Sequence, residues 1–497
     1  MILRNFKANY ISQLFTILVT FVSTPFLVQI LGVEAYGLVG LNLSIQAAFM
    51  LLDFGLAGGI IKECAKDYYH IDQKLRLTKY LNTSELAFIL ISITGGLFLY
   101  GFGGLFYENW TNSEVITSKT LMICFNLISL SVAIRFISGQ YRSIYVGRER
   151  QKELSILNIS FNFLKHILVF AILYYSNNSI IVYFSYQLCI VFLELLVLWK
   201  GSRRFDQKLT SVSWSDSISV KIFSSTLKFS GSVALISLLW VVAIQFDKML
   251  LTRILNITEY GYYSLAVTLS GAILLFNAPI NTAILPRLSY LHSIGRYNDV
   301  NSLYLTVSQL LFVICFPIAL VMFILADHIL FFWTGLVTTI EYSYILKYHV
   351  AGTVGLLISG IPFLFAYAYE KLKFNIVANI IFLIILLPIY TYLVINYSLK
   401  SALIFWCILC LSFMLIFTSI FHIKHNSGFA VKWFVKVIAE PILFLLPGVF
   451  IVYNLNFEAK DRIISFVYVT ISYIIIVLPY IIFRFKSIIE KIKNYEV

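Results

Sequence analysis

With 497 residues, 60% of them hydrophobic and 12% charged, and a mean hydropathy of +0.87, this chain excludes a water-soluble globular protein. Stretches this apolar aggregate in water, whereas lipid accepts them as helices whose backbone groups pair internally. The net charge of +13 at pH 7 would suit a nucleic-acid binder, but Lys and Arg gather in every second gap between the apolar stretches, and that is the pattern of membrane topology.

A hydrocarbon core about 30 Å thick needs roughly 20 helical residues to cross it. Fourteen stretches meet that need, near 9–31, 37–60, 82–106, 120–146, 154–175, 179–199, 228–252, 262–287, 303–327, 344–367, 374–396, 400–421, 436–455 and 463–483. With the N-terminus placed in the cytoplasm, the gaps on that side hold 27 Lys and Arg and those on the opposite side hold 5. The positive-inside rule then predicts both termini in the cytoplasm, with contact to anionic lipid as a secondary use of the charge.

Span one follows Arg4 and Lys7 and is too long for a cleavable h-region, so it reads as an uncleaved signal-anchor. Span two carries Asp53 in its inner half, and span four carries Arg135 and Arg142, which a helix places on one face. Span five places Asn158, Asn162 and Lys165 at i, i+4 and i+7, one polar stripe, with His166 adjacent. Glu194 stands near the inner end of span six. The longest hydrophilic gap, Lys200 to Lys228, holds Arg203, Arg204, Asp206, Lys208 and a serine-rich run and reads as a cytoplasmic linker. Span seven carries Gln245, Asp247 and Lys248 in its outer third, and Lys347 and His349 stand at the outer mouth of span ten. All nine prolines fall in spans or at their ends, where neighbouring helices re-satisfy the freed carbonyls. The six cysteines lie in or beside spans without metal-ligand spacing and read as small buried hydrophobes.

An internal repeat joins the two sides of the linker. Ile30-Leu31-Gly32-Val33-Glu34-Ala35-Tyr36-Gly37 aligns with Ile254-Leu255-Asn256-Ile257-Thr258-Glu259-Tyr260-Gly261, and each copy sits at the outer turn between the first and second spans of its half. At the same offset Asp53 corresponds to Asn277. Two six-span bundles in parallel orientation, with a substrate site between them, are a recurrent transporter plan. The expected organisation is an N-terminal lobe (1–205, spans one to six), a linker (206–227) and a C-terminal lobe (228–425, spans seven to twelve). Spans thirteen and fourteen with a cytoplasmic tail (426–497) form an appended pair.

Ionisable groups in hydrocarbon are costly and face a cavity or a partner. The deep charges of the first half are mainly cationic: Arg135, Arg142 and Lys165 against Asp53, with Glu194 closer to the interface. Cations so placed would stabilise a phosphate or pyrophosphate, Arg by bidentate hydrogen bonds and Lys as a point charge. The bland alternative is that Arg142 and Glu194 snorkel to headgroups and that Asp247–Lys248 is a local pair or outer anchor. Asp53 either pairs with a cation or binds and releases a proton. No GxxxxGK[ST] loop and no HExxH spacing is present, which argues against P-loop ATP hydrolysis and a zincin site.

Asn9-Tyr10-Ile11-Ser12, the Leu31-Gly32…Tyr36-Gly37 turn, Leu52-Asp53-Phe54-Gly55-Leu56, and Phe246-Asp247-Lys248-Met249-Leu250-Leu251 followed by Tyr260-Gly261-Tyr262-Tyr263 carry a resemblance. In order and spacing they resemble the polysaccharide flippases, the O-antigen (Wzx-type) translocases of the multidrug/oligosaccharidyl-lipid/polysaccharide exporter superfamily. The resemblance implies an all-α polytopic membrane protein of V-shaped, paired six-helix lobes around a cationic cavity. It implies a non-enzymatic flippase that carries a polyprenyl-pyrophosphate-linked oligosaccharide from the cytoplasmic to the outer leaflet. Polysaccharide polymerase and other assembly proteins would then be partners. The lipid II branch fits less well, because residues 8–61 contain no Arg or Lys.

On this reading Arg135, Arg142, Lys165 and Lys248 would contact pyrophosphate or acidic sugar. Asp53, Asp247 and Glu194 would couple an ion or hold those cations, with Asn158, Asn162 and Asn277 as polar support. No bound cofactor is expected; a proton or sodium gradient could bias the transport cycle. Two rivals stand. A multidrug or cation antiporter on the same fold would favour deep carboxylates over deep arginines. A membrane glycosyltransferase or polymerase would carry charged outer loops, and those here are short and nearly uncharged.

Overall fold

A computed structural model describes residues 2–53, 55–67, 74–104, 116–203, 220–276, 284, 288, 291–292, 294–368, 372–425, 429–455 and 461–493. Among these residues the secondary structure is helical, with no strand, as lipid demands of a chain that must satisfy its backbone internally. Among the described residues, ten helical stretches, two of them running through π turns, are long and apolar enough to cross a membrane. Packing divides the chain into two compact units, Met1–Gly261 and Tyr262–Val497.

The first unit opens with α1 (Ile2–Leu31) and α2 (Val33–Phe49), which meet at Gly32. There φ is +87°, in the region that only glycine enters at no steric cost. The second expected span does not run on to residue 60 as one helix. A 3-10 turn over Met50–Asp53 ends it, Gly55 turns with φ +81°, and α3 (Leu56–Asp67) begins anew. Asp53 fixes this break: its Oδ1 accepts the Ala57 N–H at 2.9 Å, satisfying one of the orphan donors at a helix start. Then come α4 (Lys74–Phe102), α5 (Ser118–Gly147), α6 (Gln151–Phe163), a π-helical turn over Leu164–Leu168, α7 (Val169–Tyr175), α8 (Ile180–Arg203) and α9 (Val220–Ile254). Helix α5 packs along α8, α4 and α3, while α1 packs along α6. Polar pairs between helices hold α1 to α6, where lipid supplies no hydrophobic drive to do so. Asn9 Nδ2 donates to Gln151 Oε1 at 3.0 Å, Ser155 Oγ to Asn9 Oδ1 at 3.1 Å, and Asn162 Nδ2 to Thr16 Oγ1 at 2.7 Å.

The two copies of the repeated octapeptide meet each other in this unit. A Cβ on Gly37 would stand 2.8 Å from the Ile257 carbonyl oxygen, and a Cβ on Gly261 would strike the Val33 carbonyl oxygen. Thr258 Oγ1 donates to Glu34 Oε1 at 3.1 Å. Each copy thus offers its glycine to the first turn of the other, the reciprocity of an isologous contact.

The second unit holds α10, whose range Ile257–Gly271 begins at the end of the first unit, followed by a 3-10 turn over Ala272–Phe276. Its later helices are α11 (Tyr297–Ile324), α12 (Ala326–Thr334), α13 (Ser343–Ala368), α14 (Leu372–Asn396), α15 (Leu399–His425), α16 (Ala430–Trp433), α17 (Glu440–Leu455) and α18 (Arg462–Lys493). A second π-helical turn, Phe434–Ala439, joins α16 to α17. Helix α13 packs along α15; Gly352 and Gly355 let the two backbones approach, facing the Trp406 ring and the Cys410 carbonyl, as small residues do between membrane helices. This pair, the tenth and twelfth spans, repeats the α5–α8 pairing of the fourth and sixth. Helix α18 is tied to α12 by Arg462 Nε donating to the Phe332 carbonyl at 2.8 Å, and by a 3.2 Å hydrogen bond between His328 Nδ1 and Ser465 Oγ.

Candidate functional site

Two antiparallel helices joined by a tight turn put span four beside span five. The turn runs through Arg148 to Glu149, whose φ of +57° reverses the chain between α5 and α6. Arg142 and Asn158 come to one level across it, and Arg142 Nη1 donates to Asn158 Oδ1 at 2.6 Å. At a rise of about 1.5 Å per residue, Arg142 stands roughly 8 Å and Arg135 roughly 18 Å from the α5 terminus, deep in the helix.

Lys165 enters this neighbourhood on the π-helical turn over Leu164–Leu168. Such turns insert one residue and are frequent at functional sites. The cost is carbonyls that lose their ordinary helical partners, and α8 supplies replacements. Tyr186 Oη donates to the Leu164 carbonyl at 2.8 Å, and Gln187 Nε2 to the Lys165 carbonyl at 2.9 Å. The same helix carries the carboxylate that receives the cations. Glu194 Oε2 accepts from Lys165 Nζ and Glu194 Oε1 from Arg142 Nη2. The Lys165 and Glu194 side chains are 7% and 4% exposed, and Arg142 is 31% exposed.

Arg135 belongs to the same electrostatic group. It lies within coulombic reach of Glu194, Arg142 and Lys165, and His166 lies within reach of Lys165 and Arg135. Yet Arg135, deep among the helices but with side-chain surface left uncovered by the protein, makes no hydrogen bond or ion pair among the described residues. Three cations around one carboxylate leave two positive charges, and the guanidinium of Arg135 is the one with its donors uncommitted. Such an arrangement offers an anion a fork of N–H donors.

Of the other expected site residues, Lys248 and Asp247 form a separate pair on α9, Nζ to Oδ1 3.7 Å, with Lys248 Nζ also donating to the Ile244 carbonyl. Asp53 caps α3, Asn162 joins α1 to α6, and Asn277 lies outside the described residues. The stripe expected of Asn158, Asn162 and Lys165 therefore divides, because Asn158 and Lys165 turn to the Arg142–Glu194 group and Asn162 to Thr16. Sequence reasoning did not single out Tyr186 and Gln187, which sustain the π turn; two polar side chains in an apolar helix, facing a lysine-bearing one, are the signal that could have found them. Among the described residues no three His, Cys, Asp or Glu gather as a metal site.

The sequence profile of a family described as polysaccharide biosynthesis protein matches residues 2–292. A protein of Shigella flexneri whose name describes an O-antigen transporter is 23% identical over 416 residues, covering 82% of this chain and 94% of its own. Among solved structures, the lipid II flippase MurJ in an inward closed conformation superposes with a TM-score of 0.68 at 17% identity, over 97% of this chain and 99% of that one. An inward-facing MATE-family multidrug resistance transporter of the MOP superfamily gives 0.64 at 13% identity, over 83% and 96%. The fold is that of these transporters.

Proposed function

The chain belongs to the polysaccharide biosynthesis protein family, and on that premise we propose that it is a flippase for a polyprenyl-pyrophosphate-linked oligosaccharide, such as an O-antigen repeat unit, working by alternating access. It is a multi-pass membrane transporter and does no covalent chemistry. Support comes from an O-antigen transporter relative matched over most of both chains and from the fold shared with a lipid II flippase.

The observation that carries the reading is Arg135, a deep cation with no hydrogen bond or ion pair among the described residues, beside a cluster left with two positive charges. A diphosphate diester brings one negative charge on each phosphate, and Arg is the side chain that grips it bidentately. Arg142 and Lys165 raise the local potential, and Asp247–Lys248 is a second charged pair that could respond to a coupling ion. The lipid tail stays in the bilayer while the head group passes. Alternating access needs two states within a few kcal/mol and a ligand or ion that prefers one of them. The 27-to-5 charge asymmetry supports fourteen spans with both termini in the cytoplasm of a bacterial inner membrane. Polysaccharide polymerase and other assembly proteins are the partners this role implies.

The test is Arg135→Ala and Arg135→Lys in cells lacking the native chain. Surface polysaccharide should disappear in the first and partly return in the second, while lipid-linked units accumulate on the cytoplasmic face. Normal surface polysaccharide with Arg135→Ala would sink the proposal. Loss of resistance to cationic drugs, with polysaccharide unchanged, would turn it toward an antiporter.

A further inference from the structure

Glu194 treats its two partners unequally. Lys165 is shut away with it, whereas Arg142 remains 31% exposed at the edge of the pair. Arg142 commits one terminal nitrogen to Asn158 and the other to Glu194, so both terminal nitrogens of its fork are engaged by oxygens of the protein itself, one neutral and one anionic. A phosphate competes for those same donors, since carboxylate and phosphate present similar oxygen geometry to a guanidinium.

We propose that Glu194 is a built-in competitor for the ligand's anion, a positioning residue that withholds Arg142 until a diphosphate already held by Arg135 displaces it. The inference rests on the reading of this cluster as the pyrophosphate site. Arg135 makes the first contact. Arg142 joins by exchanging the Glu194 carboxylate for a phosphate oxygen, and Lys165 stays behind as the carboxylate's buried partner. That last point matters energetically, because a carboxylate stranded in the interior would make the exchange prohibitive. When the ligand leaves, Glu194 recaptures Arg142. A transporter must release what it binds, and a resident carboxylate lowers affinity in favour of release.

Glu194→Gln would strand Lys165 and unsettle the fold, so Glu194→Asp carries the test. Aspartate keeps a negative charge beside Lys165 but is one methylene too short to span to Arg142. Purified full-length protein in nanodiscs is titrated calorimetrically with farnesyl pyrophosphate. Glu194→Asp should bind about tenfold tighter, the worth of one freed charge-assisted contact. Glu194→Asp combined with Arg142→Ala should lose that gain. In liposomes the Glu194→Asp protein should show slower turnover at saturating lipid-linked substrate despite its lower KM, a split that a purely structural role does not produce. Unchanged or weaker binding by Glu194→Asp overturns the inference, as does a gain that survives Arg142→Ala. No binding of the probe by the wild-type protein overturns the pyrophosphate reading itself.

Discussion

Removing the Lys165 ammonium should cost more than the pair contributes. At an effective dielectric constant near 20, two unit charges about 4 Å apart attract by roughly 4 kcal/mol, and withdrawing each ion from water costs several kcal/mol. The pair is therefore close to neutral against an apolar replacement, yet breaking it leaves one charge uncompensated, at about 3–5 kcal/mol. Lys165→Met leaves Glu194 with Arg142 and should fall near 3 kcal/mol, while Glu194→Gln strands a lysine that is 7% exposed and should approach 5 kcal/mol. The double variant leaves no fully buried charge unpaired, since Arg142 is 31% exposed and keeps Asn158 as a partner, and should return to within about 1 kcal/mol of wild type. For a unit of this size, each kcal/mol moves the melting temperature by roughly 2 °C. Melting followed by tryptophan fluorescence in detergent micelles should then drop by roughly 6 °C and 10 °C for the single variants and recover in the double. Additive losses in the double variant would refute the buried pair as the organiser of the site.

Three further outcomes follow from the same geometry. Gln187→Leu removes the donor to the Lys165 carbonyl and should cost about 1–3 kcal/mol, read as a lower melting temperature, with Tyr186→Phe behaving alike and the two together weakening transport through Lys165. Gly261→Val drives two methyls toward the Val33 carbonyl and should cost about 1–3 kcal/mol or more; a Glu34→Cys/Thr258→Cys pair in a cysteine-free background should cross-link readily with Gly261 intact and poorly with valine there. Asn162→Leu frees Thr16 from its 2.7 Å partner and should lower stability by about 1 kcal/mol with little change in farnesyl pyrophosphate binding, because Asn162 faces α1 and not the cationic group.

Much of the charged cluster is legible in the sequence because charge is conspicuous against hydrocarbon. Arg135, Arg142, Lys165 and Glu194 each stand out in an otherwise apolar span, and helical spacing alone puts the two arginines on one face. The choice of partners is not legible. Nothing local tells Glu194 to span Arg142 and Lys165, which arrive from two other helices, or directs Asn162 to Thr16. The π turn that aims Lys165 depends on Tyr186 and Gln187 across a helix interface, and periodicity cannot announce it. The break in the second span is a different case. Asp53 followed by Gly55 is a cap and a reversal in the space of three residues, and hydropathy conceals them because the flanking residues remain apolar.

The meeting of the two octapeptides also bears on history. Two identical chains touching by the same octapeptide would have formed just such a contact around a two-fold axis. Fusion of a self-associating ancestor would retain it as an intramolecular scar. Its imprint should be paired drift: a bulkier residue at position 37 or 261 would be admissible only alongside a backbone shift in the opposite copy, so these turns should change together or stay small.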